Sequence, residues 1–134
     1  YGVETRICRF YNVYGDSQLT EGEYAAVVGI FLEQYKHNKP LTITGDGEQR
    51  RDFTHVDDIV DGMFLSMSKE FGTYELGSGV NYSINELANM FGEDYPKEYI
   101  EERVGEARET LCKKPDLLLV KNNLEDYIKG EISE

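Results

Sequence analysis

Residues 45–58 read Gly45-Asp46-Gly47-Glu48-Gln49-Arg50-Arg51-Asp52-Phe53-Thr54-His55-Val56-Asp57-Asp58. Gly45-Asp46-Gly47 is a tight turn closing the short strand-like run Leu41 to Thr44. Asp52 to Val56 reads as a second short strand-like piece. Asp57 and Asp58 then open a helix, where acidic side chains sit well against the positive end of the dipole. Strand, turn, strand and helix in this order point to an α/β fold. Taken alone, Arg50 and Arg51 are a solvated pair that Asp52 and Asp57 neutralise. His55, between Thr54 and Val56, fits a packed or hydrogen-bonded core histidine better than a base.

Upstream, Thr5 to Phe10 alternates in strand fashion and is broken by Asn12-Val13-Tyr14-Gly15-Asp16. Glu21 to Lys36 places Val27, Val28, Phe31, Leu32 and Tyr35 at helical spacing and predicts a helix ending near His37-Asn38-Lys39-Pro40. Downstream, the helix opened by Asp57 carries Ile59, Val60, Met63, Phe64 and Met67 as its apolar face. Thr73 to Leu76 predicts a strand ended by Gly77-Ser78-Gly79. Ser83-Ile84-Asn85-Glu86 is a capping-box pattern, from which Ile84, Leu87, Ala88 and Phe91 continue a helix. In the tail, Tyr99-Ile100 predicts a strand, Leu117 to Val120 a buried run and Leu124 to Ile128 a short last helix. Strands and helices alternate without repeat or low-complexity linker, which fits one α/β domain or part of one.

The 134 residues suffice for one modest domain. Ten tyrosines and six phenylalanines are too many for a disordered tail. Fourteen basic against 26 acidic residues give a net charge of -12, which argues against a nucleic-acid partner, since a duplex binder needs a basic face. Small anionic ligands stay open, because a few local arginines override a distant field over a short range. Cys8 and Cys112 stand too far apart for a zinc knuckle or a CxxC pair and, without a signal peptide, point to a reducing, cytoplasmic setting. Apolar runs are only a few residues long, so no segment is expected to span a membrane. The chain opens on Tyr1-Gly2-Val3, without Met and directly before a strand, as the middle of a longer protein would.

Three patterns imitate cofactor chemistry and fall short. A dinucleotide loop built on Gly45-Asp46-Gly47 needs a small residue where Arg50 stands, and one built on Gly77-Ser78-Gly79 needs it where Tyr82 stands. Both are better read as plain turns. Tyr35 and Lys39 have the Tyr-x-x-x-Lys spacing of short-chain dehydrogenases but lie at a polar helix end just before Pro40.

The wider pattern resembles the carboxy-terminal part of the NAD-dependent epimerase/dehydratase family, the extended short-chain dehydrogenases acting on nucleotide sugars. Arg9-Phe10-Tyr11-Asn12-Val13-Tyr14-Gly15 is similar to the family's strand-ending Arg-Phe-x-Asn-Val-Tyr-Gly. Gly45-Asp46-Gly47 with Arg51-Asp52-Phe53-Thr54-His55-Val56-Asp57-Asp58 is similar to its Gly-Asp-Gly and Arg-Asp-Phe-x-x-Val-x-Asp. Tyr74-Glu75-Leu76-Gly77-Ser78-Gly79 and Arg103-Val104-Gly105-Glu106 match two later motifs. Motifs in this order cover roughly residues 1 to 112. Within the family, the pattern is most similar to that of UDP-glucose 4-epimerases.

The resemblance implies a fold: the last Rossmann strands plus a small α/β substrate-binding domain. Residues 1–134 would be a single sugar-nucleotide-binding domain, with 1–15 and parts of 52–76 belonging to the edge of a truncated NAD-binding domain. It also implies roles. Asn12, Thr42, Thr44, Arg51, Arg103 and Glu106 would bind a UDP-sugar or related nucleotide sugar, the arginines at the diphosphate, Glu106 at ribose hydroxyls and Thr42 to Thr44 along the base. A guanidinium suits two phosphate oxygens. Many relatives have an aromatic residue where Thr44 stands. Phe10, Tyr11 and Asn12 would approach NAD, whose main binding loop has no match here. The family's Tyr-x-x-x-Lys pair has none either, so the implied catalytic residues and any metal ligand are absent from the expected set. After Cys112 the sequence departs from the family's Leu-Gly-Trp-x-Pro segment.

The implied function is the substrate-binding portion of an NAD-dependent sugar-nucleotide 4-epimerase, inactive by itself. The alternatives are a dehydratase or decarboxylase of the same family, or a non-catalytic fragment that self-associates through exposed edges.

Overall fold

A computed structural model of the protein describes residues 2–133, with Asp116 described in its backbone only. Strands β1 (Arg6–Phe10), β2 (Asn12–Tyr14), β3 (Leu41–Thr44), β4 (Arg50–Arg51), β5 (Phe53–His55), β6 (Gly72–Leu76), β7 (Tyr82–Ser83) and β8 (Lys97–Ile100) alternate with helices α1 (Val27–Lys36), α2 (Val56–Ser66), α3 (Ile84–Asn89) and α4 (Leu124–Ile132). β1 pairs in parallel with β6, β2 with β5, and β3 with β8, while β4 and β7 are antiparallel. Parallel neighbours require long crossovers, and helices supply them, as in other α/β folds. The expected break after Phe10 is only partial. Asn12–Tyr14 forms its own strand, in register with Phe53–His55.

The larger core gathers Tyr14, Phe31, Leu41, Ile43, Phe53, Leu87, Phe91 and Ile128 between α1, α3 and α4. Phe31 and Phe91 meet edge to face, with centroids 5.9 Å apart. Tyr35 packs on Phe91 and Tyr95, and the Tyr95 hydroxyl donates to the backbone carbonyl of Lys39. The Tyr-x-x-x-Lys look-alike is thus a packing element. α1 starts at Val27, not near Glu21. Gly22 adopts a left-handed φ of 95° and Ala26 is extended, so the helical ladder forms only beyond them. The helix stops at Asn38, whose φ of 55° turns the chain before Pro40.

A smaller core joins Ile59, Leu76 and Leu118, with Cys8 and Val13 against it. Here the sequence pattern of α2 misleads. The covered face consists of Asp58, Ile59, Gly62 and Ser66. Val60, Met63, Phe64 and Met67 lie exposed, as do Ile7 and Phe10 on β1, so α2 is apolar on two sides and only one is covered by the described residues. Gly62 admits the close approach, since a Cβ there would stand 3.1 Å from Leu76 and 3.2 Å from Leu118. In the predicted buried run, only Leu118 is deeply buried, while Leu119 and Val120 are exposed. The Asp58 carboxylate accepts from the Lys121 and Asn122 backbone N–H groups and from Asn122 Nδ2, holding that segment against α2 by polar contacts.

Asp52 is the other buried carboxylate, and it neutralises no arginine. It accepts from the backbone N–H of Ser78 (2.9 Å), Gly79 (3.0 Å) and Cys112 (3.0 Å) and from the hydroxyls of Ser78 (2.6 Å) and Thr54 (3.3 Å). One side chain ties the turn after β6 and the segment at Cys112 to the β4–β5 hinge. A buried charge is tolerated only when donors surround it in this way.

Asp52 and Asp57 look interchangeable in the sequence and are opposites in the fold. Asp52→Asn should destabilise by about 3 kcal/mol, because it removes the charge and turns an amide N–H toward other donors. Asp57→Asn, exposed in the first turn of α2, should change stability by less than about 1 kcal/mol. Urea unfolding of both variants checks the contrast, and equal midpoints would contradict it.

Candidate functional site

The adjacent arginines of β4 face opposite sides of the strand, as successive strand residues must. Arg50 turns to α3. Its Nη1 donates to Glu86 at 2.8 Å, and its Nε and Nη2 bond the side chain and carbonyl of Asn81. The Glu86 carboxylate raises the affinity of this guanidinium for its proton. Glu86 is itself placed by the N-cap of α3, where Ser83 Oγ accepts from its backbone N–H at 3.0 Å. Arg50 is therefore structural.

Arg51 turns inward and is 8% exposed. Its Nη1 donates to the Arg50 carbonyl at 2.8 Å and its Nη2 to Glu106 Oε1 at 3.1 Å. The other oxygen of Glu106 accepts from the Thr44 hydroxyl at 3.4 Å. Asn12 stands opposite, its backbone N–H donating to the Asp52 carbonyl and its Oδ1 accepting from Thr110 Oγ1 at 3.3 Å. That leaves its amide N–H groups without a protein partner among the described residues.

These groups line one cavity of about 220 Å³. Asn12, Thr42, Thr44, Arg51, Arg103 and Glu106, the complete set expected to meet a nucleotide sugar, are all on its wall. Ala26, Ile30, Ile84 and Ile100 add apolar surface. Thr42 is fixed from behind by Gln34, which both donates to its hydroxyl and accepts from its N–H. Phe10 and Tyr11 are not on this wall. They lie at the carboxyl end of β1, beside the parallel pair with β6, with Phe10 half exposed and Tyr11 partly buried. A larger cleft of about 620 Å³ runs past Asp16, Gln18, Lys36 and Tyr127 and contains none of the expected residues.

The two glycine turns prove structural. At Gly77-Ser78-Gly79 the N–H groups of Ser78 and Gly79 already point at Asp52, so they are not free for a pyrophosphate. Gly47 has φ 74°, and a Cβ there would overlap the side chain of Asn85. His55 caps α2 by accepting from the Asp57 N–H at 3.1 Å and stacks edge-on against Tyr14. Gln49, which the motif reading did not use, is buried on the cavity wall with its Nε2 on Thr44.

Asp46, in the turn after β3, and Arg108 are joined by two 2.9 Å bonds. Arg108 Nη hydrogen bonds, followed by the Glu48 backbone N–H, hold the Asp46 carboxyl at about 2, below its ordinary 3.8. With the folded-state value lowered, the pairing is fully present above pH 3.8 and is lost as pH falls through about 2. An NMR titration of the Asp46 carboxyl should give a midpoint near 2, moving up toward 3.8 in Arg108→Ala. A midpoint unchanged by the substitution would contradict the pairing.

Residues 1–77 match the NAD dependent epimerase/dehydratase family. UDP-glucuronic acid decarboxylase 1 of Arabidopsis thaliana is 35% identical over 126 residues, which are 92% of this chain and 28% of that protein. Among solved structures, UDP-glucose 4-epimerase of Thermotoga maritima with UDP-glucose superposes at a TM-score of 0.88 and 32% identity, over 99% of this chain and 46% of that one. UDP-glucuronic acid 4-epimerase of Bacillus cereus, in complex with UDP-glucuronic acid and NAD, superposes at 0.81 and 26% identity, over 95% and 43%. The fold is that of a partial extended short-chain dehydrogenase. The chain belongs to the NAD-dependent epimerase/dehydratase family and spans less than half the length of these relatives.

Proposed function

We propose that this chain is the substrate-binding portion of an NAD-dependent nucleotide-sugar epimerase acting at C4 of a UDP-sugar. The observation that carries the reading is the convergence of Asn12, Thr42, Thr44, Arg51, Arg103 and Glu106, from four separate stretches of sequence, on one cavity. Arg51 and Arg103 supply charge for a diphosphate inside an otherwise acidic chain, and Asn12 offers free amide donors beside them. Glu106 holds Arg51 in place and has the acceptor oxygens that ribose hydroxyls need. At about 220 Å³ the cavity is smaller than the roughly 300–1,000 Å³ of a whole small-molecule site, so it suits the nucleotide diphosphate end with the sugar leading outward.

NAD, when bound, supplies the acceptor and donor of hydride for the sugar carbon. The fit on this chain is limited to the end of β1. Phe10, Tyr11 and Asn12 follow a parallel strand pair at its carboxyl end, where α/β folds place such ligands. The pyrophosphate finds no cradle among the described residues, since both glycine turns are engaged internally. The chain's own residues therefore bind and orient the nucleotide sugar, while hydride and proton transfer at C4 belong to groups beyond the described set. A decarboxylase acting on the same class of substrate is the second reading, favoured by the decarboxylase relative that aligns over 92% of the chain. Free Cys8 and Cys112 support a reducing, cytoplasmic setting, and no described helix is long and apolar enough to cross a membrane.

Calorimetric titration with UDP-glucose should show saturable binding. Arg51→Ala should weaken it at least tenfold, as loss of charge-assisted hydrogen bonds of about 1.5–3 kcal/mol implies. Equal binding by a folded Arg51→Ala variant would overturn the reading.

A further inference from the structure

The Asn12 amide is held at one end by a single hydroxyl. Its Oδ1 accepts from Thr110 Oγ1 at 3.3 Å, and the same Oγ1 accepts from the Asp52 backbone N–H at 3.3 Å. An N–H can only donate, so Asp52 takes a lone pair of the hydroxyl, and the one hydroxyl proton goes to Asn12. The Thr110 backbone is anchored as well. Its N–H donates to the Arg50 carbonyl at 3.0 Å, and its carbonyl accepts from Asn81 Nδ2 at 3.3 Å. Three attachments therefore aim this hydroxyl at one amide oxygen.

The other end of the amide, Nδ2, donates to no group among the described residues. Nor is it sealed in, because among the described residues Gln18 Oε1 alone is both enclosed and unpaired. Asn12 lines the cavity with Arg51 and Arg103, whereas Thr110 is not on its wall. An asparagine amide free at both ends can present either oxygen or nitrogen, and an oxygen turned to an anion repels it. We propose that Thr110 is a positioning residue, its hydroxyl fixing the Asn12 amide so that nitrogen, and not oxygen, is left for an anionic ligand. The inference rests on the nucleotide-sugar reading above, in which that ligand is the diphosphate. Thr110 acts through Asn12 and not by touching the ligand.

The test is calorimetric titration with UDP-glucose of the unaltered chain, Thr110→Val, Thr110→Ser, Asn12→Ala and the double variant Asn12→Ala with Thr110→Val. Valine keeps the shape of threonine without the hydroxyl, so Thr110→Val should weaken binding about fivefold or more, the scale of one hydrogen bond. Thr110→Ser, which keeps the hydroxyl, should bind within about twofold of the unaltered chain. In the Asn12→Ala background, Thr110→Val should add less than about twofold, because its effect runs through Asn12. Equal weakening in both backgrounds would overturn the proposal and make Thr110 a purely structural residue. A second readout needs no variant to fold: the Asn12 side-chain amide signal, followed by NMR in an isotope-labelled unaltered chain, should shift saturably with UDP-glucose. Saturable binding with that signal unmoved would overturn this proposal alone. No binding by the folded, unaltered chain would overturn the nucleotide-sugar reading and this inference with it.

Discussion

The Asp52 carboxylate is the constraint on which the rest of the site depends. It is fully buried and surrounded by five neutral donors from three separate segments: β5, the turn after β6 and the chain at Cys112. Its own backbone is equally committed, with the carbonyl accepting from Asn12 and the N–H donating to Thr110 Oγ1. A charge removed from water demands that its donors stay in place. Asp52 therefore fixes the relative positions of Asn12 and Arg51 and of the returning segment around Thr110 and Cys112.

That returning segment brings Arg103 and Glu106 to the cavity that Asn12 and Arg51 line. Arg50 exchanges backbone hydrogen bonds with Arg108 and Thr110, and Arg108 clamps Asp46 in the turn after β3. Between these attachments and β8 lie Arg103 and Glu106, so the stretch that carries them is held at both ends over the cavity. Glu106 then satisfies Arg51 and Thr44 together. A net charge of -12 thus coexists with two cationic groups on one cavity wall, buried Arg51 and exposed Arg103. Those groups work at short range, where a guanidinium contact outweighs a screened distant field.

Local patterns were readable wherever local physics decides the outcome. The cap at Ser83, the acidic first turn of α2, the strands at 6–10 and 41–44 and the turns at Gly47 and Gly77 all follow from nearest neighbours. The late start of α1 was not, because helical spacing continues through residues that Gly22 and Ala26 hold in other conformations. Nor was the orientation of α2. Periodicity counts apolar residues, whereas the face covered here is set by Gly62, which lets Leu76 and Leu118 in, and by the polar anchor Asp58. The division of labour between Arg50 and Arg51 follows from strand alternation, but only after β4 is known. Asp52 was legible as a motif residue and not as a buried hub, since its donors lie 26 or more residues away apart from Thr54. Gln49 gave no sequence signal at all.

On the proposed function, the small cavity over Arg51, and not the larger cleft beside α1 and α4, takes the nucleotide sugar. Backbone amide shifts recorded by NMR during titration with UDP-glucose distinguish the two directly. Saturable shifts are expected at Asn12, Thr44, Arg51, Arg103 and Glu106, with Ser17, Gln18 and Lys36 unmoved. Shifts centred on Ser17, Gln18 and Lys36, or no shifts in a folded chain, would contradict it.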